Sequence, residues 1–304
     1  MRNRYDGDSM VQTTGRNRFA GSEAASGLLL ISPTAIYALL LLAAPLATVL
    51  IYSVLTDAEG RIESTLTFAN YAKVWTSPIY QAIMIRSLTV SVAVTLVTVL
   101  VAYPIAYFVS FHVAPSRKSI WLFLITIPFW TSYLIRVFLW KVILGYNGVV
   151  SSGLEITGIT SEPMSFMTNA TSAMIITLAH AYAPFAILPI FVSLEKIDRS
   201  LLEAGQDLGE SRLVTFIRVT LPLSMAGVVA ATLIVFIPTI GDYVTPDLIG
   251  SGKFPMIANA MEVQMLKLNQ KALGSAIAVS AMVVVTVVSL VFLFANRRFL
   301  GASK

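Results

Sequence analysis

The sequence predicts an all-α membrane protein with six transmembrane helices and both termini in the cytoplasm. Three observations carry this. The chain has 304 residues and is 56% hydrophobic but only 12% charged, against about 25% charged in soluble domains. Its mean hydropathy is +0.78. The missing charge is organised: charge-free windows separate Glu23 from Asp57, Arg86 from Arg117, Lys118 from Arg136, Glu162 from Glu195, Arg218 from Asp242, and Lys271 from Arg297. A helix crosses a hydrocarbon core about 30 Å thick with about 20 apolar residues, and five of these six windows are long enough outright. They are apolar throughout rather than alternating, which argues against a strand barrel. Placing the N-terminus inside puts the larger share of the 21 Lys and Arg on the cytoplasmic side, as the positive-inside rule requires.

The elements follow in order. Residues 1–24 are polar and read as a cytoplasmic tail. The first span covers about 28–52; its apolar core, Leu28 to Tyr52, is too long for a signal-peptide h-region. An outer loop, 53–86, carries Tyr71 and Trp75, suited to the membrane interface. The second span covers 87–111. The third, 119–144, begins in the short window Ser119 to Ile135 and continues past Arg136 toward Leu144. The segment 145–169, rich in Gly, Ser and Thr, predicts a short re-entrant or surface helix. Spans four to six cover 170–194, 222–244 and 273–295, and a short cytoplasmic tail, 300–304, ends the chain. A single membrane domain thus occupies about 25–299. Pro128, Pro184, Pro189 and Pro238 lie inside spans, where each removes a backbone hydrogen bond and permits a kink.

The polar loop 195–221 has a defined local reading. Asp198 is placed to cap a helix beginning at Arg199. Ile197, Leu201 and Leu208 recur at helical spacing and predict one apolar face. Gly209 fits the left-handed position that ends a helix. Ser211 is placed to cap a second helix, which carries Phe216 and Val219 and enters the membrane at Pro222. Read from these residues alone, an amphipathic linker on the bilayer surface explains the loop equally well.

The stretch Glu203-Ala204-Gly205-Gln206-Asp207-Leu208-Gly209, followed by Val219-Thr220-Leu221-Pro222, resembles the EAA signature of membrane subunits of bacterial ABC importers. Gly205 stands where the family usually has a second alanine, and Val219 where it usually has isoleucine. Three further segments resemble the spermidine/putrescine permeases of this class: Pro128 to Arg136, Ala183 to Asp198 and Gly241 to Gly250. The similarity covers nearly all of the chain after about residue 28. It implies the type I importer permease fold in the bacterial inner membrane. It also implies a second permease subunit forming a heterodimer with this one, a periplasmic substrate-binding protein, and an ATPase dimer. That ATPase would bind the ATP and Mg, so this chain needs no cofactor of its own. The family's coupling surface falls on Glu203, Ala204, Gly205, Asp207, Leu208 and Gly209. Relatives that import opines, aminophosphonates or other small polar solutes share much of the pattern.

A polyamine is a flexible polycation, and a path for it calls for carboxylates and aromatic faces that attract ammonium groups. The candidates are Trp130, Tyr133, Tyr182, Asp242, Tyr243 and Glu262, with Asp247 outside. Asp242 is the most pointed, since an acid near a span end is a functional hypothesis by default; interfacial exposure with no role is its alternative. Packing is the alternative for the aromatics. Arg136 would repel a polycation and reads as a structural ion pair or a contact to the binding protein. His180, in mid-span, reads as hydrogen-bonded to a neighbouring helix.

No chemistry of the chain's own is visible. Gly250-Ser251-Gly252-Lys253 fails as a phosphate loop, which needs glycine at 247 and Ser or Thr at 254 where this chain has Asp247 and Phe254. The two histidines, His112 and His180, build no metal or catalytic set, and the chain has no cysteine. The net charge of +5 calls for no nucleic acid. Two other classes remain: a stand-alone secondary transporter, for which the spans are short of ionisable residues, and a membrane enzyme or scaffold, for which no catalytic set is present.

Overall fold

The computed structural model describes residues 19–58, 61–160 and 170–300. Two units divide the chain at Val49/Leu50. The first is the greater part of helix α1 (Phe19–Ser53), which contains Pro33 and Pro45. Its apolar stretch, Leu30–Ser53, is long enough to cross a bilayer and is unburied except for Ser53 at its end.

The second unit opens with an antiparallel hairpin, β1 (Leu55–Ala58) and β2 (Arg61–Leu66), and the short helix α2 (Ala69–Thr76). The hairpin has a specific task. Both carboxylate oxygens of Asp57 accept from the first amides of a distant helix, α13 (Lys271–Ala295): Ala272 N–H at 2.9 and 3.1 Å and Leu273 N–H at 3.1 Å. These amides have no partner within their own helix. An anion there is worth about 0.3–1 kcal/mol when exposed and up to about 2 when partly buried.

Helix α3 (Pro78–Phe111) starts nine residues before the expected second span. Arg86 does not end it, because its Nη1 donates to the Pro255 carbonyl at 3.4 Å and its guanidinium lies over the Phe254 ring. Helix α7 (Ala170–Glu195) is the centre of the unit: half of its apolar window is buried, 50%, against 11% for α13. It packs on α3 and on α10 (Leu221–Ile240). The contact is built from Ala102, Ala106, Ala186 and Ala231 with Val94, Leu178 and Ile190. Lipid tails are as apolar as leucine, so small residues that let backbones approach are what hold such helices together.

The third expected span is not one helix. It is α4 (Pro115–Thr126), a 3-10 turn (Ile127–Trp130) and α5 (Tyr133–Ile143), bent by 86° at the break. Pro128 has no N–H to continue the helix. Thr131 and Ser132 are extended, and the Thr131 hydroxyl donates to the Pro128 carbonyl at 2.8 Å. Counting this bent pair as one crossing, the described residues hold six candidate spans, five of them continuous.

The remaining pieces are short. Helix α6 (Val149–Ile156) lies in the second expected outer segment. Helices α8 (Arg199–Asp207) and α9 (Arg212–Thr215) occupy the polar loop, and a π-helical turn, Phe216–Thr220, joins α9 to α10. Beyond α10 come α11 (Val244–Ile249), then α12 (Ile257–Glu262) with a π-helical turn, Val263–Lys267, and after α13 the short α14 (Arg297–Leu300). Most of the expected N-terminal tail, all but the first residue of the C-terminal one and part of the 145–169 segment lie outside the described residues.

Candidate functional site

Two constellations sit at opposite ends of α10. The first is the polar loop. Asp198 is extended and its Oδ1 accepts from the Ser200 N–H at 3.0 Å, which starts α8. That hydrogen bond holds the Asp198 carboxyl below its usual range. At the other end the Leu208, Gly209 and Glu210 amides close back on Ala204, Gln206 and Gly205 carbonyls. Gly209 takes φ +84°, the conformation that lets the chain turn there. Ser211 Oγ accepts from Val214 N–H at 3.4 Å and starts α9. Glu210 and Arg218 pair at 2.7 Å across the turn, an exposed bridge worth about 0–1 kcal/mol.

The outward surface of α8 departs from the expected single apolar face. Ile197 is buried, whereas Leu201 and Leu208 are 48% and 85% exposed. Ile197 precedes the first helical residue and Leu208 follows the last, so helical spacing does not relate them. Glu203, Ala204, Asp207 and Gly209 are also exposed, and among the described residues Glu203 has no hydrogen-bond or ion-pair partner. Gly205 faces inward. A Cβ there would lie 3.2 Å from the Thr215 side chain, so the glycine lets α8 close on α9. The departure from alanine thus falls where α8 and α9 approach closely.

The second constellation joins the break of the third span to the end of α10. Asp242 is 7% exposed, so it is buried rather than open at the span end. Its Oδ2 accepts from the Tyr133 hydroxyl at 2.9 Å, and its Oδ1 from the Val244 and Thr245 amides at 3.1 and 3.5 Å. Tyr133 also bonds the Thr245 hydroxyl at 2.8 Å. Tyr182 packs against the same core cluster as Tyr133 and lies within electrostatic reach of Asp242 and Arg136. The other expected path residues are not drawn in. Trp130 is 73% exposed and meets Phe123 edge-on. Tyr243 is half exposed, its carbonyl held by Asn259 Nδ2 at 2.8 Å. Glu262 pairs with Lys267 at 3.3 Å, and Asp247 receives Asn259 Nδ2 at 3.5 Å.

Arg136 forms no ion pair among the described residues, so the first of its two expected roles is not met. It is buried, its Nη1 donates to the Ala181 carbonyl at 3.3 Å, and its guanidinium lies over the Phe129 and Tyr133 rings at 5.8 and 5.9 Å. His180 accepts at Nδ1 from the Trp140 indole at 3.1 Å, a bond between neighbouring helices. Sequence reasoning missed Thr245 and Asn259. The pattern Asp242-Tyr243-Val244-Thr245, an acid two residues before a helix start, carried a capping signal that points to the first of them.

The family model for the binding-protein-dependent transport system inner membrane component matches residues 67–300. The chain belongs to this family. Among similar proteins, this permease is 35% identical over 254 residues to the spermidine/putrescine transport system permease protein PotB of Haemophilus influenzae, covering 83% of this chain and 88% of that one. It is 34% identical over 241 residues to PotB of Escherichia coli K12, covering 79% and 86%. It is 28% identical over 256 residues to the inner membrane ABC transporter permease protein YdcU of the same strain, covering 81% and 80%. A crystal structure of a bacterial alginate ABC transporter, in complex with alginate pentasaccharide-bound periplasmic protein, contains a chain that superposes with a TM-score of 0.70 at 18% identity, covering 93% of this chain and 98% of that one. The fold is therefore that of an ABC importer permease. The protein is a multi-pass transport subunit of the inner membrane, not an enzyme.

Proposed function

We propose that this permease forms, with a second permease subunit, the path by which a spermidine- or putrescine-like polyamine enters the cell. A separate ATPase dimer drives it and a periplasmic binding protein delivers the substrate. The similarity to the PotB permeases over most of both chains supports the polyamine reading. The single observation that carries the coupling reading is the outward face of α8. A capped helix with a rigid turn leaves Glu203 unpaired among the described residues and Leu208 exposed, and it runs through α9 directly into α10. We assign this end to the cytoplasm, with both termini, and ATP and Mg to the partner ATPase. Glu203 would pair with a basic group of the ATPase cleft, with Ala204, Gly205, Asp207, Leu208 and Gly209 giving the surface its shape.

The substrate path would run past the other end of α10. Tyr133 and Tyr182 supply aromatic faces there, and Asp242 supplies negative potential through groups that already hold its oxygens. Trp130, Tyr243 and Glu262 would be met before or after that point. A competition assay tests the substrate class. The complete transporter in proteoliposomes should take up labelled spermidine, and unlabelled putrescine should compete, while an opine and an aminophosphonate should not. Competition by the opine or the aminophosphonate alone would replace the polyamine with that solute.

A further inference from the structure

Helix α4 carries the first half of the bent third span, yet Lys118 is its only buried residue. The rest of α4 is exposed or half-buried, with Ile120, Phe123 and Leu124 open to the surroundings. A buried ammonium needs a partner, and Lys118 has one: its Nζ donates to Glu195 Oε1 at 2.5 Å. Glu195 is the last residue of α7, three residues before the Asp198 cap of α8. The same Oε1 accepts the Ser110 hydroxyl at 2.6 Å from the end of α3. The Ser110 carbonyl in turn accepts from Arg199 Nη2 at 3.1 Å, in the first turn of α8, and the Arg199 guanidinium lies over the Phe111 ring. One carboxylate oxygen therefore gathers α3, α4 and α7, and the next hydrogen bond reaches α8.

Two physical routes leave α8. One runs through Gly205 and Thr215 into α9 and up α10 to Asp242. The other runs through Arg199, Ser110, Glu195 and Lys118 into α4, and from there to the break and Tyr133. They meet where Tyr133 bonds Asp242. The route through α10 is continuous chain, whereas the route through α4 crosses a single ion pair, beside which Leu122 and Ile125 pack on the core and Trp121 meets Phe108.

We propose that the Lys118–Glu195 pair is a positioning joint that passes the movement of α8 to the bent third span, so that the helix break and the end of α10 move together. This rests on the reading of α8 as the ATPase docking element. A joint at the buried edge of α4 suits the task, since it is the polar tie between α4 and the end of α7 from which α8 starts.

The test uses the complete transporter in proteoliposomes and measures spermidine taken up and phosphate released in the same vesicles. Lys118→Met and Glu195→Gln should keep the ATPase bound and hydrolysing, but move about tenfold less spermidine per ATP, the scale at which a coupling network is perturbed. Lys118→Arg, which keeps the charge, should stay within about threefold of the unsubstituted ratio. An unchanged ratio in Lys118→Met and Glu195→Gln overturns the joint. So does a parallel loss of assembly, hydrolysis and uptake, which would mark the pair as fold support, and so does a Lys118→Arg transporter as uncoupled as Lys118→Met. The docking reading has its own control: Glu203→Lys should lose the ATPase from the purified complex, whereas Lys118→Met retains it. If Glu203→Lys keeps both the ATPase and the coupling ratio, the docking reading falls and takes the joint with it.

Discussion

The two ends of α10 solve opposite problems with similar residues. At the α8 end, short polar side chains spend themselves on helix termini: Asp198 on Ser200 and Ser211 on Val214. Among the described residues Glu203 is left without a partner, and Leu201, Leu208, Leu213 and Ile217 stay exposed. At the other end an acid of the same kind, Asp242, is buried and fully engaged by Tyr133, Val244 and Thr245. On the function proposed above, the exposed acid beside exposed leucines would be a docking surface, and the buried carboxylate that ties two helix breaks together would align the path. The same side-chain chemistry would then serve two tasks, and burial separates them.

Substitutions can break this contrast. The largest effect is expected at the exposed end. Glu203→Lys puts a like charge against a basic cleft, and like-charge juxtaposition costs several kcal/mol. Uptake should fall to background while the purified permease keeps its helix content. Normal uptake by this variant would remove Glu203 from coupling.

Next come Asp242→Asn and Tyr133→Phe. Each leaves a buried polar group short of a partner, at about 1–3 kcal/mol. Uptake should fall by roughly tenfold or more, since about 1.4 kcal/mol is a factor of ten, with ATPase assembly intact. Uptake that follows only the amount of protein would make the Tyr133–Asp242 tie dispensable.

Gly205→Ala sharpens the first region. Helix propensity favours alanine by about 1 kcal/mol, while the new Cβ would press Thr215 at 3.2 Å. The two effects oppose each other, so the thermal midpoint should not rise, as it would if Gly205 were merely a weak helix former. A clear rise would show that α9 yields.

The smallest effect is a pH dependence. The Asp198 carboxyl is depressed by its bond from Ser200, so its contribution to α8 is complete above the ordinary aspartate pKa. It is lost as pH falls through the lower folded value. Amide exchange in 199–207, corrected for intrinsic rate, should quicken only in that acidic window. Quickening near neutral pH would point to another group.

The sequence made the exposed end legible because caps and turns are local. Asp198, Gly209 and Ser211 act within three or four residues of themselves. The six crossings were legible because apolar length suffices to read them. The break in the third span was not, because Pro128 permits either a kinked helix or a bend of 86°, and the tie found beside the bend, Tyr133 to Asp242, joins residues 109 positions apart. Lys118 and Glu195 were illegible for the same reason, since their partnership spans 77 positions. Asp57 was hidden by distance too, capping a helix 215 residues away.

The central claim is that this chain is one part of an ATP-driven importer and carries no driving force of its own. Reconstitution tests it directly. Liposomes holding this permease alone should show no spermidine uptake under ion gradients or with ATP. Uptake should appear when the second permease, the ATPase, the binding protein and ATP are supplied together. Gradient-driven uptake by the lone chain would contradict the account.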